Sequence, residues 1–291
     1  MTDQKLPLCI WHKNCADGFG AAWVFKYHSG QDFDFFPGTY QKPPPDVTGR
    51  DVYLVDFSYK RAVVEEMLKT AKSITLIDHH KSAIEDLQPL IDDKRIASLV
   101  SIKHSGAMLA WMFWKGIHET PPVLLQHIED RDLWLFKMPG TREIQTALFS
   151  YPYDFEVWDK LMRGPVSGLM ADGRALVRKH MKDVAELIPT VTRRMNIGGF
   201  NVPVANMPYL FSSDAGHMLA AGYLNEDGHH EPFAACYWDT PTGRTFSLRS
   251  TDDGQDVAKI AEQFGGGGHA RAAGFSVSYY KALEFEILGQ R

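Results

Sequence analysis

Along the first eighty residues, short apolar runs recur, and each ends in polar side chains. PLCIWH (7–12), DVYLVDF (51–57) and SITLIDHH (73–80) have the length and composition of buried strands. Helical patterns separate them at Gly18 to His28 and Arg61 to Lys72. Alternation at this spacing predicts right-handed crossover units and a parallel sheet, with loops and ligands at the carboxyl ends of its strands. The middle third reads as helical. Ser105 to Lys115 has an apolar face, Pro121-Pro122 opens a helix to about Asp130, and a longer amphipathic stretch runs from Val166 to about Arg194. Beyond Gly198-Gly199 strand patterns return in FNVPVAN (200–206), PFAACYW (232–238), TFSLRS (245–250) and GFSVSY (274–279). The expected fold class is α/β: an N-terminal parallel-sheet domain over residues 1–165, a linker helix over 166–195, and a smaller C-terminal α/β domain over 196–291.

Composition narrows the choice. With 44% hydrophobic residues and a formal charge of -5 over 291 residues, the chain can bury full cores, so disorder is excluded. The acidic balance argues against a track along a long duplex, which needs a cationic excess. Cys9, Cys15 and Cys236 are an odd number without close pairing, which supports neither a disulfide scaffold nor a cysteine-only zinc site. A reducing cytoplasm is the expected compartment. No signal peptide and no membrane span are expected, since the apolar run from Ala107 to Trp114 stops at Lys115.

Candidate chemistry collects at the strand ends. His12 and Asp17 follow the first strand, Asp56 the second, and Asp78-His79-His80 the third; Asp130 and Asp132 lie in IEDRDLW. Singly, each is more often a cap or a core hydrogen-bonder. Together they are carboxylates and imidazoles at the ends of three consecutive buried strands, a donor set suited to a divalent first-row metal such as manganese. A carboxylate shared by two ions is how a two-metal phosphoester site is built.

HKNCADGFGAA (12–22), VDF (55–57), IDHH (77–80), IEDRD (128–132) and GGGGHARAAG (265–274) stand in this order along the chain. In these five elements the sequence resembles the DHH phosphoesterases, metal-dependent hydrolases with a DHH domain and a DHH-associated C-terminal domain. The form HxxCxDGF resembles the branch with oligoribonuclease and cyclic-nucleotide phosphodiesterase-like members. The resemblance implies one metal held by Asp17, Asp56, His79 and Asp130, with Asp56 bridging to a second held by His12. It implies that His80 and Asp78 orient the ligand imidazole from behind, so that Asp56, His79, His80 and Asp78 form the catalytic group. Asp132 is the alternative to Asp130, and whichever of the two points away is expected to pair with Arg131. Cys15 stands where many relatives carry a first aspartate; a thiolate prefers softer ions, so the second metal site is expected to be weaker or differently coordinated, and inert packing is an equally good account of Cys15.

The glycine-rich element has a mechanism of its own. Its glycines, with Gly266, Gly267 and Gly268 central, can turn successive N–H groups toward an anion, and a helix starting near His269 would add its positive end. The resemblance assigns this element to substrate phosphates, with Arg249 and His269 as further contacts. Arg271 is expected to face solvent. Tyr209, Phe211 and Trp238 could stack on a base, although core packing is the commoner fate.

The expected activity is hydrolysis of phosphodiester bonds in short oligoribonucleotides or small linear or cyclic nucleotides by a metal-activated hydroxide. One or two Mn2+ ions are the expected cofactors, with Mg2+ or Co2+ as substitutes. A short-chain exopolyphosphatase or pyrophosphatase is the alternative, with a noncatalytic nucleotide-binding protein as a third reading. The expected partners are an oligonucleotide, nucleotide or phosphate-chain substrate, with no long duplex and no membrane.

Overall fold

The structure is a computed structural model that describes residues 5–288. The first half alternates β1 (Leu8–His12), α1 (Ala16–His28), β2 (Asp34–Gly38), β3 (Asp51–Val55), α2 (Arg61–Met67), β4 (Ser73–Asp78), α3 (Lys81–Asp92) and β5 (Ala97–Val100). The five strands form one sheet in the order β2-β1-β3-β4-β5. Every neighbouring pair is parallel. Helices cover both faces, which is why the strands read as near-continuous apolar runs. Within them the alternation survives: Cys9, Trp11, Val55 and Ile77 face one core with Phe19, Trp23 and Trp158. Leu8, Ile10, Leu54 and Leu76 face the other with Val64 and Leu87.

Two strands of this sheet escaped the sequence pattern. β2 carries Pro37 and lies at the sheet edge, where a missing N–H is tolerated. β5 is the opposite edge, four residues long and only partly covered. Pro89 inside α3 similarly breaks a helical reading that the fold overrides.

The helical middle contains α4 (Gly106–Lys115), α5 (Val123–Asp132), α6 (Thr141–Leu148), α7 (Phe155–Arg163) and α8 (Ser167–Val191). The chain divides into two compact units within α8, between Val177 and Arg178. The second unit continues with β6 (Thr192–Ile197), β7 (Phe200–Asn206), a 3-10 turn at Tyr209–Phe211, α9 (Ser212–Ala220), β8 (Ala234–Thr240), β9 (Gly243–Arg249), α10 (Val257–Glu262), β10 (Gly267–His269), β11 (Ala272–Val277) and α11 (Tyr279–Leu288). Its six strands are ordered β10-β11-β9-β8-β7-β6, antiparallel except for β7 and β8. The architecture is thus α/β with an N-terminal parallel sheet and a C-terminal mixed sheet, as the pattern predicts.

The helix expected near His269 does not form. Gly267–His269 pairs antiparallel with β11, Gly268 opposite Ala273. Gly268 has φ +141, and a side chain there would run into the backbone of Ala272 and Ala273, so the glycine permits a tight hairpin. Among the described residues no helix is long and apolar enough to cross a membrane.

Candidate metal centre

In the order β2-β1-β3-β4-β5, the connections from β1 (to β2) and from β3 (to β4) run toward opposite edges, so a topological switch point lies between β1 and β3. Open parallel sheets bind ligands outside the carboxyl ends of their strands at such a point. His12 ends β1, Asp56 follows β3, and Asp78-His79-His80 straddles the end of β4.

His79 Nε2 lies amid three carboxylates: 3.1 Å from Asp56 Oδ1, 3.4 Å from Asp132 Oδ2 and 3.7 Å from Asp17 Oδ2. One donor atom each from Asp17, Asp56 and His79 falls within 4.8 Å of the others, and the same is true of His12, Asp56 and His80. Asp56 belongs to both groups. Its Oδ2 and His12 Nδ1 are 3.6 Å apart, and both are buried without a hydrogen-bond partner. Buried polar atoms of this kind are costly unless something else satisfies them, and several carboxylates around imidazole nitrogens suit a divalent cation. The residues fit a metal.

The backbone is strained to deliver this arrangement. Asp56 has φ +52, a left-handed conformation that aspartate tolerates better than most residues. Its N–H is held by Ile77 O at 2.9 Å. Asp17, in the first turn of α1, accepts from the N–H groups of Gly106 at 2.6 Å and Ala107 at 3.0 Å, at the positive end of α4. A side chain on Gly106 would overlap Asp56 Cβ. Glycine is therefore the residue that lets α4 approach two acidic groups. Gly106→Ala should lose about 1–3 kcal/mol by overpacking, against the usual gain from alanine in a helix. Thermal unfolding read beside manganese affinity checks it, and unchanged values for both would show that the contact relaxes freely.

Asp78 is fully buried, and its Oδ1 accepts from the N–H groups of His79 and His80 and lies 2.7 Å from His80 Nδ1. It pins the tight turn that aims both imidazoles. The sequence reading made His80 purely a support; the geometry also places it beside His12 and Asp56 as a donor.

Asp130 and Asp132 point to different places. Its carboxylate accepts from the N–H groups of Lys137 at 2.8 Å and Met138 at 3.0 Å and from the Thr141 hydroxyl at 2.5 Å. It is 5% exposed and organises the segment after α5, where Trp134 and Phe136 are left-handed. Asp132, 26% exposed in its side chain, reaches His79 instead. Two residues apart on a helix is about 200° of rotation, so only one of the pair can face the site. The Arg131 guanidinium lies 4.7 Å over the Trp134 ring. The signal that points to Asp132 is the helix running through it.

Ionisation follows the crowding. Burial pushes the Asp17 carboxyl well up, and Asp56 and Asp132 push it further, against His79 and Ser105. Burial opposes charge on Asp56 too, but the neighbouring imidazoles of His12, His79 and His80 outweigh it and hold Asp56 well below the usual carboxylate range. Burial alone would lower His79; Asp132, Asp56 and Asp17 win and raise it well above the ordinary imidazole value. His80 is raised by Asp78 against burial. Cys15, just before α1, is pushed well up by burial and then by Asp56, Asp132 and Asp17.

In the second unit, Arg249 donates to Ser247 Oγ at 2.9 Å, Leu248 O at 2.8 Å and Ser213 Oγ at 2.9 Å. A side chain on Gly216 would press on Arg249 Cγ, so α9 packs directly against it. Gly266, Gly267, Gly268 and His269 are half-buried in and before the β10–β11 hairpin. Arg271 is not a bare surface residue: it donates to Gly254 O at 2.8 Å and to Asp252 O, fastening the loop before α10. Tyr209 is exposed and lies 6.0 Å from Trp238, while Phe211 stacks on His180.

No family model matches the chain. An uncharacterised protein, R106, of Acanthamoeba polyphaga mimivirus is 29% identical over 314 residues, spanning 97% of this chain and 70% of the relative. Among solved structures, an exopolyphosphatase-related protein from Bacteroides fragilis superposes with a TM-score of 0.51 at 12% identity, covering 99% of this chain and 91% of that one. The two share a fold. A pGpG-specific phosphodiesterase, PggH, from Vibrio cholerae is similar at a TM-score of 0.45 and 14% identity, over 98% of this chain and 97% of the other.

Proposed function

We propose that the chain is a metal-dependent phosphohydrolase of the DHH type that cleaves phosphodiester bonds in short oligoribonucleotides or small linear or cyclic nucleotides. One observation carries the reading: two donor groups share Asp56 at the carboxyl edge of a parallel sheet. Asp17, Asp56, His79 and Asp132 would hold one cation and His12, Asp56 and His80 the other, with manganese preferred and magnesium or cobalt as substitutes. When bound, the pair supplies an activated water for in-line attack on phosphorus and offsets the charge that develops on its oxygens. Asp78 keeps the two imidazoles aimed. Arg249 and the β10–β11 hairpin with His269 are assigned to the substrate's phosphates. The acidic chain favours a compact anion over a long polyanion.

The test is turnover by the purified protein with Mn2+ on short RNAs, linear and cyclic dinucleotides, cyclic mononucleotides, adenosine bisphosphate and short polyphosphates. Cleavage of short RNA or dinucleotides that stops with chelator is the expected result. Chelator-insensitive turnover overturns the metal assignment, and cleavage confined to polyphosphates transfers the reading to an exopolyphosphatase.

The crowded ionisation adds a pH dependence. Because the folded-state pKa of His79 is raised, the imidazole keeps its proton up to that value and a cation must displace it. Manganese affinity should therefore climb as pH rises toward that pKa and level off above it. Calorimetric titration in buffers of different ionisation enthalpy should register proton release; a buffer-independent heat with pH-independent affinity would contradict it.

A further inference from the structure

Beside His12 stands an aromatic side chain that the metal chemistry does not use. Tyr40 is 47% exposed, yet its ring is not loose. It meets the His12 imidazole edge-on at 5.2 Å and the fully buried Phe57 ring at 5.0 Å. Phe57 directly follows Asp56. The support beneath is built for this placement: a side chain on Gly38 would press on the Phe57 ring at 2.7 Å. Lys13 N–H donates to Gly38 O at 3.0 Å, tying the end of β2 to the residue after His12. Tyr40 then sits in a turn closed by Lys42 N–H to Thr39 O at 3.2 Å. Gln41 has φ +64 at the third position of that turn, a conformation non-glycine residues adopt rarely and at a cost. A strained turn, a packed ring underneath and a backbone tie to β1 hold one exposed aromatic ring against a candidate metal ligand.

We propose that Tyr40 is a specificity-determining residue on which a nucleobase next to the scissile phosphodiester stacks. The inference rests on the phosphohydrolase reading and deepens it by naming a residue that selects base-bearing substrates. Stacking on an aromatic ring tolerates any base, because every base has a π-face. An inorganic phosphate chain gains nothing from such a ring. Tyr40 therefore favours substrates carrying a base beside the cleaved bond and leaves the identity of the base open.

The test is a binding cycle with Mn2+ present, using a phosphorothioate linear diguanylate and its abasic analogue as probes and Tyr40→Ala and Tyr40→Phe as variants. Tyr40→Ala should weaken the diguanylate analogue about 5- to 150-fold, as expected for loss of one base–aromatic stack. The abasic analogue should respond several-fold less, so that ring and base are coupled. Tyr40→Phe should bind the base-bearing probe within about threefold of wild type, since a phenyl ring stacks comparably. Equal losses for both probes, no loss for either, or a Tyr40→Phe defect as large as that of Tyr40→Ala each overturn the proposal, as does failure of the wild-type protein to bind the diguanylate probe. Turnover of ordinary diguanylate, measured in parallel, tests the phosphohydrolase reading separately because the cycle reads binding alone. Manganese affinity and thermal unfolding of the variants serve as folding controls.

Discussion

Asp56→Asn is expected to remove phosphohydrolase activity by more than about a thousandfold, the upper end of the loss for removing a single electrostatic stabiliser. Asp56 is the carboxylate common to both donor groups, so its loss weakens both cation sites at once. Asparagine is the informative replacement. It keeps the size of the side chain and tolerates the left-handed backbone at φ +52, whereas alanine there adds roughly 1–2 kcal/mol of backbone strain. With Asp56→Asn, lost activity is thus separated from a lost fold. Circular dichroism and thermal unfolding should stay near wild type while turnover and manganese binding collapse; full turnover in the variant would remove Asp56 from the reaction.

Asp132→Ala and Asp130→Ala should fail in opposite ways. Asp132 reaches His79 from the half-exposed end of α5, so its removal should lower manganese affinity by more than the roughly 10- to 100-fold typical of residues that only support a ligand. Its thermal stability should change little. Asp130 instead satisfies two backbone N–H groups and a hydroxyl. The Thr141 hydroxyl keeps Met138 O at 3.1 Å as an acceptor, but the two N–H groups lose theirs at about 1–3 kcal/mol each, so Asp130→Ala should lose about 2 kcal/mol or more. In a unit of this size that lowers Tm by roughly 4–8 °C. Calorimetric manganese titration and differential scanning calorimetry on both variants decide it. A larger metal defect in Asp130→Ala would restore the order expected from sequence.

The pattern of the chain went far toward the N-terminal unit because its strands are buried on both faces. PLCIWH, DVYLVDF and SITLIDHH read as buried strands, and parallel strands joined by helices put His12, Asp56 and Asp78-His79-His80 at one edge. The edge strands β2 and β5 carry no such signature, since an edge tolerates Pro37 and partial exposure. In the second sheet β7, β8, β9 and β11 were legible as apolar runs, but β6 was not, its first residues reading as the end of the long helix, and neither was GGGGHA. Glycine permits a helix start, an open loop and a hairpin alike, and pairing with β11 decided for the hairpin.

What the sequence by itself determined was the succession of the buried strands and main helices and the kinds of donor at the strand ends, because both follow from periodicity and residue type within a few neighbours. Where Asp130 and Asp132 point came from tertiary structure alone, since it depends on the rotation of α5 and on a backbone segment folding back onto one carboxylate. It also brought Gly106 against Asp56 and Tyr40 against His12, contacts between residues 50 and 28 positions apart that no local pattern encodes. The pairing of His80 with both Asp78 and the His12–Asp56 group has the same origin: a tight turn aims the ring, and only the neighbouring strand supplies what it meets.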